Sequence, residues 1–159
     1  QFSDAGQLAR FGERLHAAGI DAARVDLLPP VSRAQYLESY SQVDILLDTF
    51  PYPGGTTTAE ALWMGVPTLT LAMPGMLGRQ GQAMLSNLGL HDWVTHSEAE
   101  YMAQAVAWGQ GGGLVAERLQ SLRHQVRSQA ASSPLFDAPR FARDWWAAMQ
   151  DLWRQKMSA

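Results

Sequence analysis

The chain has 159 residues, 47% of them apolar, a net charge of −3 and a pI near 5.7. That length and apolar share suit one globular domain with a sizeable core, and the slight acidic excess argues against a nucleic-acid-binding surface. Cysteine is absent, which excludes disulfides, zinc–thiolate sites and thiol nucleophiles and fits a reducing, cytoplasmic setting.

From Asp4 to Ala18, apolar residues at Ala5, Leu8, Phe11, Leu15 and Ala18 form a helical stripe, and Gly19 is placed to stop it. Arg24–Pro29 (RVDLLP) reads as a short strand closed by two prolines. Ser32 can cap a helix running through Tyr40, with Tyr36, Leu37 and Tyr40 on one face. Asp44–Asp48 (DILLD) has the continuous apolar core of a strand buried on both faces. After GGTTT the pattern predicts a helix over Thr58–Met64 stopped by Gly65, then a strand at Pro67–Ala72. A helix over Leu77–Leu88 ends at Gly89, and Asp92–His96 (DWVTH) reads as a last short strand. From Glu98 the chain is helical, broken at Gly109–Gly113 (GQGGG) and at Ser132–Arg140.

Strands alternating with helices of this length indicate an α/β fold with a mostly parallel sheet. The opening helix should follow a strand, and that strand would precede Gln1. The chain therefore reads as a doubly wound, Rossmann-like domain lacking its first strand and followed by a helical tail. Its start at Gln1 rather than Met reads as a cut from something longer. No apolar run approaches the roughly 18 residues needed to cross a bilayer, and no signal-peptide pattern opens the chain. No membrane partner and no nucleic-acid partner are expected.

Open α/β sheets bind ligands at the carboxyl ends of strands, near helix N-termini. GGTTT occupies such a place: Gly54 and Gly55 permit close backbone approach, Thr56, Thr57 and Thr58 add hydroxyls, and the following helix offers unpaired N–H groups to an anion. A second reading fits the same residues, because Thr57-x-x-Glu60 is by itself a capping box. Neither the P-loop nor the dinucleotide fingerprint is present, and spacing alone leaves both readings open.

The wider stretch DILLDTFPYPGGTTTAEALWMGVPTLTL resembles the nucleotide-sugar-binding segment of the O-linked N-acetylglucosamine transferase and SPINDLY family of glycosyltransferases. Bacterial members typically carry LDTFPYNG-x-TTT-x-EALWMGVPVVTL there. RVDLLPPVSRAQYLESYSQVD, GRQGQAMLSNLGL and SSPLFDAPRFARDWWAAMQDLW look like three further segments of that family. The resemblance runs from about Arg24 to Trp153.

It implies a GT-B architecture, of which this chain is the C-terminal lobe over residues 1–131, with a helical tail over 132–159 packing back on it. The implied ligand is a UDP-sugar donor, bound as a substrate rather than a cofactor. The implied activity is inverting transfer of N-acetylglucosamine or another hexose to a protein acceptor. Gly54, Gly55, Thr56, Thr57 and Thr58 match the loop at the diphosphate, and Glu60 matches an acidic residue that receives the ribose hydroxyls. Val31 and Arg33 match a loop that reads uracil, Tyr36 a residue that packs on the base, and Arg79 an arginine at the diphosphate.

The remaining implied partners are the N-terminal lobe and tetratricopeptide repeats of the parent chain. The catalytic groups belong mainly to that other lobe, so the chain alone is expected to be inactive. Pro53 and Ala83 depart from the family's usual Asn and Ser, some members place His where Gly55 stands, and the family's phosphate-neutralising Lys falls outside the chain. A non-catalytic module that kept the fold and lost donor binding is the alternative.

No metal is expected: Asp-x-Asp is absent, and His16, His91, His96 and His124 lack ligand spacing. Asp48 is expected to support its turn. Trp145, Trp146 and Trp153 form a helical stripe of the kind usually found in a core.

Overall fold

The computed structural model describes residues 5–158, and the chain divides into two compact units, Gln1–Glu38 and Ser39–Ala159. In the first, α1 (Ala5–Ala17) ends where Gly19 turns to φ 74°. That left-handed residue lets the Ile20 N–H reach back to the Leu15 carbonyl at 2.9 Å, closing the helix end. A 3-10 turn at Ala22–Arg24 follows, with the Asp21 carboxylate accepting from the Ala23 N–H. α2 (Arg33–Ser39) starts as predicted on Ser32. Its hydroxyl accepts from the Gln35 N–H at 3.3 Å, and the Gln35 side chain accepts from the Ser32 N–H at 3.1 Å, a reciprocal cap.

The strand expected at Arg24–Pro29 does not form. Val25 spends its N–H on the Ala22 carbonyl of the 3-10 turn, and Pro29 has no N–H to give. No strand among the described residues pairs with the segment, and an extended stretch without a ladder partner is not a strand.

The second unit holds β1 (Leu46–Leu47), α3 (Thr56–Trp63), β2 (Thr68–Leu71), α4 (Gly75–Gly78), α5 (Gln80–Asn87), β3 (Val94–Thr95), α6 (Glu98–Gln110), α7 (Gly112–Ser132) and α8 (Ala138–Met157). The strands form a parallel sheet in the order β1-β2-β3, with Leu46 opposite Thr68 and Thr70 opposite Val94. Helices form both crossovers, the βαβ arrangement read from the sequence. β2 is central and buried along its whole length. Its alternating Thr and Leu could pass for a half-exposed strand, but the Thr70 hydroxyl is buried, donating to the Asp48 carboxylate, and the Thr95 hydroxyl of β3 donates to the Thr70 carbonyl.

β1 departs from its predicted burial on both faces. Among the described residues it has a neighbour on one side only, and Leu47 is 52% exposed. Leu62 of α3, Leu69 of β2, Leu85 of α5 and Val126 and Ala130 of α7 make the fully buried core. α7 also ties down the turns leading into β1 and out of α3. Arg123 donates to the carbonyls of Tyr40 and Val43, and Arg127 donates to the carbonyl of Trp63 while its guanidinium lies 4.0 Å from that ring's centre. Gly65 (φ 82°) both ends α3 and admits α7, since a Cβ there would lie 2.8 Å from the Arg123 carbonyl.

The predicted break at Gly109–Gly113 shrinks to one residue, Gly111, between α6 and α7. α8 buries none of its residues, so the stripe of Trp145, Trp146 and Trp153 is not core within this chain.

Leu85→Ala should destabilise the protein by about 2–5 kcal/mol, the cost of a core cavity, whereas Leu114→Ala, at an 83% exposed position, should stay within about 0.5 kcal/mol of the parent. Urea unfolding of the two variants measures the difference.

Candidate functional site

The site is built around the carboxyl end of β1. There Asp48 turns its side chain inward, 4% exposed, and both oxygens find donors. Oδ1 accepts from the Gly54 N–H at 2.6 Å and Oδ2 from the Thr70 hydroxyl at 2.8 Å. Its backbone is held too: the Asp48 N–H donates to the Leu69 carbonyl, and the Asp48 carbonyl accepts from the Tyr101 hydroxyl at 2.8 Å. Burial, and then the neighbouring Asp48 charge, push the Tyr101 phenol up to about 12. The loop from Thr49 to Gly55 is thus pinned at both ends. Between them lie a cis Phe50–Pro51 peptide and a bond from the Thr49 hydroxyl to the Tyr52 carbonyl.

Gly54 and Gly81 are needed for space. A Cβ on Gly54 would meet the Thr57 and Thr58 hydroxyl oxygens at 2.5 and 2.6 Å. One on Gly81 would meet the Thr70 hydroxyl at 2.2 Å and Asp48 Oδ2 at 2.8 Å. Side chains at either place would drive the loop or α5 away from Asp48.

α3 begins two residues earlier than predicted, with Gly55 as its cap and no side-chain cap on its first N–H groups. Thr57 and Glu60 both lie inside the helix, so the predicted capping box does not form. Its first intrahelical bond runs from the Ala59 N–H to the Gly55 carbonyl, which leaves the N–H groups of Thr56, Thr57 and Thr58 outside the helix's own ladder. Those of Thr56 and Thr57 open on a hollow of about 470 Å³ walled by the loop, the exposed Thr56 and Thr57, and Gln80 of α5. Backbone N–H groups, the positive end of a helix dipole and two hydroxyls converging on a hollow can hold an anion. On the inner side, the Tyr40 hydroxyl steadies the first turn by donating to the Thr57 carbonyl at 3.2 Å.

Of the residues singled out in the sequence, Gly54, Gly55, Thr56 and Thr57 meet at this hollow. Thr58 is next to them but fully buried, its hydroxyl without a hydrogen-bond partner among the described residues. Glu60 lies one turn along α3 and is 9% exposed. Arg79 is exposed at the joint between α4 and α5, where its Nε donates to the Gly75 carbonyl at 3.1 Å, and it does not line the hollow. Val31, Arg33 and Tyr36 belong to the first unit, with Val31 and Arg33 exposed and Tyr36 half-buried.

Sequence reading overlooked Gln80, Gly81, Thr70 and Tyr101. Thr70 and Tyr101 gave no separate signal, being an ordinary strand threonine and a helix aromatic. Two other hollows carry less chemistry. One of about 420 Å³ beside Trp108 contains Arg123, already spent on backbone carbonyls, and one of about 660 Å³ beside Phe136 and Phe141 is mainly apolar. Among the described residues, no group of His, Asp and Glu could hold a metal ion, and no helix is long and apolar enough to cross a membrane.

The model of glycosyl transferase family 41 matches residues 2–145. A protein of Oryza sativa subsp. japonica, named as a probable UDP-N-acetylglucosamine–peptide N-acetylglucosaminyltransferase SPINDLY, is 38% identical over 149 residues, 92% of this chain and 15% of its own length. The UDP-N-acetylglucosamine–peptide N-acetylglucosaminyltransferase of Caenorhabditis elegans is 26% identical over 86% of this chain and 12% of its own length. Among solved structures, a mutant O-GlcNAc transferase of Thermobaculum terrenum superposes with a TM-score of 0.82 at 34% identity, covering 98% of this chain and 30% of that one. The chain thus spans a minor part of each relative.

Asp48→Asn replaces one acceptor oxygen by a donor facing another donor. It should cost about 1–3 kcal/mol in urea unfolding and speed hydrogen exchange at the Gly54 amide. Tyr101 should add an alkaline limit. The folded phenol keeps its proton to about pH 12, while an unfolded tyrosine ionises near pH 10. Its contribution to stability is therefore full below pH 10 and lost between pH 10 and 12. Tyr101→Phe should flatten that part of the stability–pH curve.

Proposed function

The chain belongs to glycosyl transferase family 41, and from that membership we propose that it forms the donor-binding lobe of an inverting protein O-glycosyltransferase. The relatives' names specify UDP-N-acetylglucosamine and a peptide, so the proposed reaction moves N-acetylglucosamine from UDP to a protein side chain. The observation that carries the reading is the hollow at the end of β1. Its walls offer the uncommitted N–H groups and hydroxyls of α3's first turn, at the place where an open parallel sheet binds ligands.

In this proposal Gly54 and Gly55 let the diphosphate approach the backbone, and Thr56 and Thr57 donate hydroxyl and N–H bonds to it. Thr58, whose hydroxyl is buried, contributes its N–H. These donors stabilise the negative charge that builds on the diphosphate as the sugar leaves, which is transition-state stabilisation by groups already in position. Glu60 receives ribose hydroxyls through its carboxylate. For the first unit, Val31, Arg33 and Tyr36 keep the role the resemblance gives them, recognition of uracil. The acceptor site and the catalytic groups are assigned to the other lobe of the GT-B architecture.

The test is a calorimetric titration of UDP into the intact protein and its Glu60→Ala variant, with circular dichroism to verify folding. UDP should bind, and the variant should bind more weakly by about 1.5–3 kcal/mol, the worth of a hydrogen bond to a charged group. A folded protein that ignores UDP would leave α3's open first turn without a ligand and overturn the reading.

A further inference from the structure

The hollow beside GGTTT has one wall that does not come from the loop or from α3. It is Gln80, the first residue of α5, half-buried and 25 positions after Gly55 in the chain. Its Oε1 lies 3.1 Å from where a Cβ on Gly55 would stand, so the amide reaches over the loop at the very residue that lacks a side chain. Three other polar side chains near this place are committed elsewhere. Asp48 is saturated by Gly54 and Thr70, the Thr49 hydroxyl donates to the Tyr52 carbonyl, and Arg79 turns back on the Gly75 carbonyl. The Gln80 amide makes no hydrogen bond with the described residues, so its two N–H donors are free to meet a ligand.

What that ligand atom must be follows from its surroundings. The groups opposite Gln80 are the N–H groups and hydroxyls of Thr56 and Thr57, donors first of all. An atom shared among such donors has to be an acceptor with several lone pairs. We propose that Gln80 is a ligand-contacting residue whose amide donates to a phosphate oxygen of the bound nucleoside diphosphate, beside Arg79, for which the family resemblance implies a diphosphate role. The proposal rests on the donor-binding reading above and extends it. Within this lobe a neutral amide, rather than a guanidinium, then stands beside the diphosphate, and its share in telling nucleotide from nucleoside is a hydrogen bond.

Gln80→Glu keeps the shape and replaces the donor head by a negative charge, while Gln80→Leu removes the amide without adding charge. UDP and uridine should each be titrated by NMR against the intact protein and both variants, with thermal unfolding as a control on the fold. Gln80→Leu should weaken UDP roughly tenfold and Gln80→Glu more than that, with uridine affinity unchanged in both. Equal UDP affinity in the parent and Gln80→Glu would overturn the assignment while leaving the donor site standing. Equal losses for UDP and uridine would also overturn it, by making Gln80 a structural residue. A parent protein that binds neither would bring down the donor reading itself, and this proposal with it.

Discussion

A carboxylate taken out of water has to be met by donors or it costs several kcal/mol, and the second unit is arranged so that Asp48 is met. One oxygen receives the backbone of the loop, the other receives the central strand, and the carbonyl of the same residue receives a phenol from α6. Three pieces of chain, up to 53 residues away, therefore converge on one residue. The convergence also explains why two glycines stand where they do, because neither Gly54 nor Gly81 could carry a side chain without pushing a donor out of reach. The first turn of α3 inherits its position from this junction. Its N–H groups open on the hollow because the loop before them is held from beneath.

The electrostatics of the hollow follow from the same arrangement. Among the described residues, no lysine or arginine lines it, so whatever attraction it has for an anion comes from backbone dipoles and hydroxyls. Asp48, though negative and close by, faces inward and is occupied by its donors rather than turned to the opening. Fixed dipoles of this kind need no reorganisation when charge develops nearby, which is their advantage over a long, mobile cationic side chain.

Much of this was legible in the sequence, and the exceptions have a common cause. The parallel sheet, the helix stops at Gly19, Gly65 and Gly89 and the Ser32 cap all depend on residues within a few positions of one another, and local chemistry of that range is written in the chain. The strand expected at Arg24–Pro29 and the burial expected of β1 depend on what lies alongside, which no local pattern states. The Thr57–Glu60 box looked complete on spacing, yet the helix began two residues earlier at Gly55, where the pinned loop delivers it. At the hollow, the GGTTT segment was readable because it is contiguous. Gln80 was not, because a glutamine at a helix start carries no signal of its own and reaches the loop only through the β2 crossover. Thr70 and Tyr101 matter for the same non-local reason.

The bond between the Tyr101 hydroxyl and the Asp48 carbonyl spans 53 residues, and a ribosome makes them in order. At about 5–20 residues per second, the end of β1 waits roughly 3–10 s for the phenol that will lock it. Among the described residues, the one ladder partner of β1 is β2, which comes 22 positions later. During that interval Leu46 and Leu47 form an open strand edge on a growing chain, a surface that invites pairing with other nascent chains. The brevity of β1 limits that hazard: two residues give a stray strand little to grip, and the lasting hold on this segment comes from side chains of α6 and α7, which emerge later.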